Sequence, residues 1–370
     1  MRKWLSLSLA ILICFSLFAN LSYAAVTAPA FVSVVMDGRK IWFPDAQAFV
    51  DENGRTLVPV RFVAENMGAK VGWEADSMTV PIERGDKRIR LTVGENKAIV
   101  NGSEVIFDTK AIMKGGRTYV PLRFVSEVLG AKVNWDDLTA TVHISTKQNG
   151  TAKLDDWGRL VRTANLPKNA NDYPYILEDI PNEMYEFQYP HSREGHTQVS
   201  VDIYRAQIFS TEDLKKIMQR VKNGFALKLN VDYETIDPAV WAEDLFQYEN
   251  QAFGKVRVQQ NKEYAEWVKE NKIKLEGFIE PEPSMLYNSG LGGWYVRARV
   301  RFKIDNYAEY KNIFHDTFFN PDTDKFEKGV WYEGNADIWL GTNHSGNYGD
   351  HLALSTMASL FDNSIIRKME

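Results

Sequence analysis

The stretch Gly54–Trp73, GRTLVPVRFVAENMGAKVGW, returns 62 positions later as Gly116–Trp135, GRTYVPLRFVSEVLGAKVNW. Extended to Ile82 and Ile144, the ungapped alignment holds 17 identities in 29 positions, far more than shared composition produces. A chain that states one supersecondary unit twice must give both copies a common core. One unit of this size has too little apolar surface to fold by itself, and two stacked copies share one core.

The pattern within each copy has a physical reading. Thr56-Leu57-Val58 and Thr118-Tyr119-Val120 are β-prone and stop at Pro59 and Pro121, which end a strand and fit the start of a helix. Val60, Val63, Ala64 and Met67 then share a helical face, as do Leu122, Val125 and Leu129. Gly68 and Gly130 sit where a left-handed cap ends the helix. Val71 with Trp73, and Val133 with Trp135, alternate inward at strand period and read as core rather than as sugar platforms. Asp37-Gly38 and Asn101-Gly102, each between β-prone runs, predict tight hairpins ahead of the helices. The expected unit is hairpin, strand, helix, strand, strand. Arg61 with Glu65, and Arg123 with Glu127, are either a repeated contact for a wall polymer or an i,i+4 ion pair on a solvated face, and the second reading is preferred.

The motif G-R-T-x-V-P-x-R-F-V-x-E-x-x-G-A-K-V-x-W resembles the stalk-type domain named for the N-terminal domain of copper amine oxidases, over roughly residues 31–146. The resemblance implies a spacer or wall-associated module, commonly exported by Gram-positive bacteria. It does not extend to amine oxidation. That enzyme needs a tyrosine in an Asn-Tyr-Asp/Glu context and a His-x-His copper pair. Here the nearest strings are Asn306-Tyr307-Ala308 and Asn347-Tyr348-Gly349, and no His-x-His occurs. No cofactor is expected.

The start of the chain reads as an export signal. Arg2 and Lys3 precede an apolar run from Trp4 to Phe18, and Ser22 and Ala24 offer the small side chains of a cleavage site after Ala24. The one cysteine, Cys14, falls inside that run, so the mature chain would have neither disulfide nor thiol. The expected organisation is a signal peptide over 1–24, the duplicated module over 31–146, a linker over 147–152 and a C-terminal domain over 153–370. Residues 25–146 balance 15 Lys+Arg against 15 Asp+Glu, and residues 147–370 carry 27 against 34. Neither half has a basic excess, so a nucleic-acid partner is not expected. No later segment is long and apolar enough to span a membrane.

The C-terminal half, with strands expected at Gln198–Ile208, Lys274–Ile279, Tyr295–Ile304 and Val330–Leu340, reads as α+β with a mainly antiparallel sheet. Ser210–Asp213 is a capping box opening a helix to about Asn223, Asp237-Pro238 opens another, and a third is expected near Glu263–Asn271. Two candidate sites stand out. Along Tyr295–Ile304, Arg297, Arg299, Arg301 and Lys303 alternate with apolar residues, which puts four cations on one strand face. That face would bind an anionic polymer, or be neutralised by Glu276, Glu280 and Glu282. The stretch 329–351 gathers Trp331, Glu333, Asp337, Trp339, Asn343, His344, Asp350 and His351. Aromatic platforms beside carboxylates are what sugar binding needs, and Glu333, Asp337 or Asp350 would be the acids of a two-carboxylate glycosidase. His344, Asp350 and His351, with His191 or His196, are a weaker metal candidate.

The reading preferred from sequence is an exported, non-catalytic surface protein whose stalk-like module positions the C-terminal domain, with cell-wall polymer or surface polysaccharide as partner. A glycan-acting hydrolase and a plain polysaccharide-binding protein remain as alternatives.

Overall fold

The computed structural model describes residues 31–147, 152–189, 196–290, 292–342 and 352–369. The expected signal peptide with Cys14, residues 148–151 of the expected linker, His191, Asn343, His344, Asp350 and His351 lie outside them. Among the described residues the chain is α+β, with seven α-helices and three sheets.

The first strand pair, β1 (Phe31–Met36) and β2 (Arg39–Lys40), turns on Asp37 and Gly38, with φ of 48° and 81°. A two-residue turn of this hand needs positive φ at both positions. The same solution recurs between β8 (Lys97–Val100) and β9 (Ser103–Ile106), where Asn101 and Gly102 take φ of 49° and 86°. In each copy of the sequence repeat a strand runs through its proline into a helix: β4 (Thr56–Pro59) into α1 (Val60–Asn66), and β11 (Arg117–Pro121) into α2 (Leu122–Val128). Gly68 and Gly130 end these helices with φ of 79° and 87°. There follow β5 (Lys70–Val71) and β6 (Thr79–Arg84) in the first copy, β12 (Lys132–Asp136) and β13 (Thr141–Ser145) in the second.

An eight-stranded sheet joins the copies. Its order is β10 (Ile112–Lys114), β11, β4, β3 (Ala48–Val50), β1, β13, β12, with β2 paired to β1. Next to one edge, β11 and β4 are antiparallel, with Val58 opposite Val120. A five-stranded sheet of β5, β6, β7 (Lys87–Thr92), β8 and β9 completes the module. Val63 and Val125 from the helices meet Val80 and Val142 from the strands in one apolar cluster. Trp73 and Trp135 do not join it. They are 41% and 38% exposed, against the expectation that both are core residues. The alternation holds, but the part of the strand covered by the short helix ends at Val71 and Val133, and the next inward position is already at the surface.

The C-terminal half is built on β14 (Lys274–Asn288), β15 (Trp294–Asn306) and β16 (Trp331–Thr342), with β17 (Leu352–Leu354) and β18 (Ser364–Lys368) both paired to β16. Beside the small α3 (Asn182–Glu186), helices α5 (Thr211–Leu229), α6 (Pro238–Phe246) and α7 (Gly254–Glu270) supply most of the helical cover. Val296, Ala298, Val300, Phe302 and Ile304 of β15 pack with Val221, Phe225 and Ala265 from these helices. Ser210 and Asp213 form the reciprocal capping box at the start of α5, and Asp237 caps α6 ahead of Pro238.

One expected strand is a helix. Within Gln198–Ile208 the chain forms α4 (Ser200–Arg205). Val199, Val201 and Ile203 alternate like a strand, and a run this short fits either period. Tertiary contact decides, because Val201 and Ile203 are buried and Ser200 Oγ donates to the Leu286 carbonyl at 2.8 Å.

Gly334 lets β18 close on β16. A Cβ there would stand 1.8 Å from the carbonyl oxygen of Ile365. Gly334→Ala is therefore expected to lower stability by about 2–3 kcal/mol, at the upper end of overpacking costs, read as an unchanged urea m-value with an earlier midpoint. An unchanged midpoint would show that β18 shifts freely.

Candidate functional site

The pairing of β15 with β16 decides what becomes of the four cations. The antiparallel register sets Arg297 opposite Asp337 and Arg301 opposite Glu333, and Lys303 opposite Trp331. The residues read as catalytic acids thus stand on the same face as the residues read as an anion-binding stripe, one pairing position away.

Arg297 and Asp337 make a bidentate pair at 2.8 and 3.0 Å, with side chains only 1% and 0% exposed. Each is saturated further. Arg297 donates to the Met184 carbonyl at 3.0 Å and lies against the rings of Phe187 and Tyr189, while Asp337 accepts from Tyr287 and Asn363. Glu333 accepts from Arg299 at 2.8 Å and from Arg301 at 2.9 and 2.7 Å. Partial burial alone would raise the Glu333 carboxyl, but the hydrogen bonds from the two arginines bring its pKa below the ordinary value. A glycosidase acid needs the opposite, a carboxyl held protonated near neutral pH.

Lys303 pairs with Glu276 at 3.2 Å and Asp305 at 3.1 Å, and its ammonium lies 5.1 Å from the centre of the Trp331 ring. Trp339 stacks on Tyr295, which stacks on Tyr287. Of the acids expected to neutralise the cation face, Glu276 does so. Glu280 and Glu282 go elsewhere, and the main counter-charges come from Glu333 and Asp337. His196 belongs to no group of metal-binding side chains among the described residues.

This face is also covered. Arg301 donates to the Phe43 carbonyl, and the Arg299 guanidinium lies 4.4 Å from the centre of the Trp42 ring. Both partners follow β2 of the N-terminal module. Next to them Glu280 of β14 is buried between Lys40 at 2.8 Å and Lys222 at 3.4 Å, and it accepts from Ser33. Burial would raise this carboxyl, yet the two ammonium groups and these hydrogen bonds pull it down to about 2. Arg159, in the connecting segment 152–189 between β13 and α4, reaches Glu282 at 2.5 Å and Asp179 at 2.7 Å, and burial pushes the neighbouring Asp155 up to about 6. Sequence reading missed this junction because its charges come from four distant segments with no local spacing to betray them.

Residues 35–144 match the copper amine oxidase N-terminal domain. The matched stretch holds both copies of the repeat as well as Lys40, Trp42 and Phe43, which meet β14 and β15 of the C-terminal sheet. A curated protein of Brevibacillus choshinensis, named as a protease inhibitor, is 33% identical over 112 residues. The alignment covers 30% of this chain and 33% of that protein, so the likeness spans about a third of each.

Two outcomes test this junction. Arg297→Ala leaves Asp337 buried without its counter-charge and is expected to cost about 3–5 kcal/mol. Arg299→Ala leaves Glu333 with Arg301 and should cost under about 1 kcal/mol. Equal losses in chemical denaturation would show that the Arg297 pair holds nothing together. Glu280 sets a pH dependence. Its folded pKa, about 2, lies below its ordinary 4.5, so its contribution is complete above pH 4.5 and fades as pH falls towards 2. Glu280→Gln should flatten the fall in Tm across that window, and an unaltered acid limb would remove Glu280 as its cause.

Proposed function

We propose that the protein is an exported, non-catalytic surface protein in which a duplicated stalk-type module and a C-terminal α+β domain form one binding platform. The observation that carries this reading is the condition of Glu333 and Asp337. Both acids serve as counter-ions to arginines, and the face they share is occupied by Trp42, Phe43 and the aromatic cage around Arg297. Arg297 and Arg301 are buried there, out of a polymer's reach, and so is Asp337, while the half-buried Glu333 is held as a carboxylate by two arginines. Arg299 and Arg301, the middle two cations of the stripe, join it to the N-terminal module.

Export is supported by the leader-like residues 2–24, and a cell-wall or polysaccharide partner by the exported proteins whose stalk-type domain the repeat resembles. Among the described residues no helix is long and apolar enough to cross a membrane.

Expression of the full chain in a Gram-positive host, followed by fractionation and N-terminal sequencing, tests this. The expected result is a chain beginning at Ala25 in the wall or medium fraction, which releases no reducing sugar from purified walls. Cytosolic retention would sink the export reading. Sugar release that Glu333→Gln abolishes in a folded protein would sink the non-catalytic one. Assays against secreted proteases belong beside it, given the name of the Brevibacillus relative.

A further inference from the structure

The register between β4 and β11 places each residue near its own repeat. Val58 faces Val120, Pro59 faces Tyr119, and Leu57 faces Pro121. Antiparallel pairing of equivalent residues creates a local two-fold axis, here between Val58 and Val120. The axis makes the copies serve each other, because the Gly-Arg-Thr end of one lies beside the helix of the other.

Two surface grooves follow from this arrangement. One, of about 330 Å³, is lined by Arg61 and Phe62 of the first copy, by Trp73, and by Gly116–Thr118 of the second. The other, of about 1020 Å³, is lined by Arg123, Phe124 and Trp135 of the second copy and by Gly54–Thr56 of the first. Ten lining positions correspond in the repeat, and nine of them carry the same residue. The second groove is larger because Ile106, Phe107 and Asp108 extend it beyond β9.

Identity between the copies at Val63 or Val125 has a packing reason. An indole that is 41% or 38% exposed has none. Of the two exposed arginines kept at 61 and 123, Arg61 makes the expected i,i+4 ion pair with Glu65 at 3.8 Å. The rings are also positioned. Trp135 Nε1 donates to Asp137 at 2.5 Å, Phe124 packs 4.7 Å from Phe107, and the Arg117 guanidinium lies 5.7 Å from the centre of the Phe62 ring. Arg55, Arg61 and Arg117 are each held in place by an acid, Asp108, Glu65 and Asp45, while Arg123 has no ion pair or side-chain hydrogen bond among the described residues.

We propose that these grooves are two equivalent carbohydrate-binding sites, each stacking a sugar ring on Trp73 or Trp135 and holding its hydroxyls with the groove arginines. An exposed ring takes the apolar C–H face of a sugar, and guanidinium and carboxylate groups take its hydroxyls. Asp108, Glu127 and Asp137 beside Arg55 and Arg123 leave the larger groove without the excess positive charge that a polyanion would need. Symmetry points the same way, because a polymer of repeated sugars engages two like sites on one rigid module and binds with avidity. The inference rests on the reading of the protein as a binder of surface polysaccharide and names the residues that bind.

The test uses the purified full chain, which separates it from the question of export. Wild type, Trp73→Ala, Trp135→Ala, the double alanine variant and the double phenylalanine variant are compared for co-sedimentation with purified peptidoglycan and for titration by chitohexaose and cellohexaose. The expected result is wild-type binding to at least one glycan. Each single alanine variant should lose about tenfold or more in apparent affinity for the polymer through lost bivalency. The double alanine variant should not bind, the phenylalanine variant should partly recover, and Tm should be unchanged throughout. Undiminished binding by a folded double alanine variant overturns the proposal. So does a wild type that binds none of the three glycans, including one that instead captures extended peptides. Sugar release by a wild type whose binding still depends on both tryptophans would refute the non-catalytic reading and leave the grooves standing.

Discussion

A strand with a cation at every second position has to find an acid for each, and that constraint organises the middle of this protein. One side of β15 is apolar and lies under the helices. The other carries Arg297, Arg299, Arg301 and Lys303, and β16 meets them with Asp337 and Glu333 in a register that leaves Arg297 1% exposed. Charges this deep are costly unless every donor and acceptor is used. Tyr287, Asn363 and the Met184 carbonyl complete the set. Once the face is neutral it is a surface on which another part of the chain can settle, and Trp42 and Phe43 do so.

The same economy appears at Glu280. It is buried where the module, α5 and β14 meet, and its charge is held by lysines from two of them. Apolar contact brings surfaces together without fixing register, whereas paired buried charges penalise each misaligned arrangement. The connecting segment adds Arg159 between Glu282 and Asp179, and Tyr173, Leu177 and Tyr185 form a small apolar cluster with Met285 and Trp42. The two halves are thereby held by specific contacts from three directions.

The repeat gives the module an internal axis with surface consequences. Prolines at 59 and 121 end the antiparallel β4 and β11 in opposite directions, so the two helices leave from opposite ends of the pair. What the copies share inwardly is valine and isoleucine. What they share outwardly is arginine and tryptophan, beside hairpins contributed by the opposite copy.

Much was legible in the chain alone. The Asp-Gly and Asn-Gly turns, the proline-to-helix steps, the glycine caps, the capping box at Ser210 and the long strands near 274, 295 and 331 all depend on a few neighbouring residues, and local sterics and hydrogen bonding fix them. The α5 and α7 boundaries ran beyond expectation, to Leu229 and from Gly254, because packing extends a helix past what its own sequence marks. The Gln198–Ile208 alternation misled for the same reason, since burial of Val201 and Ile203 against the sheet overrode it. The character of the β15 stripe was readable in residue type but not in role. Whether an arginine meets solvent or an aspartate 40 residues away depends on strand register, which no short window contains. Sequence determined the periods, the turns and the duplication, because these are properties of adjacent residues. Only the tertiary structure decided which acids cancel which cations, and that Trp73 and Trp135 lie open, because both depend on where distant segments end against one another.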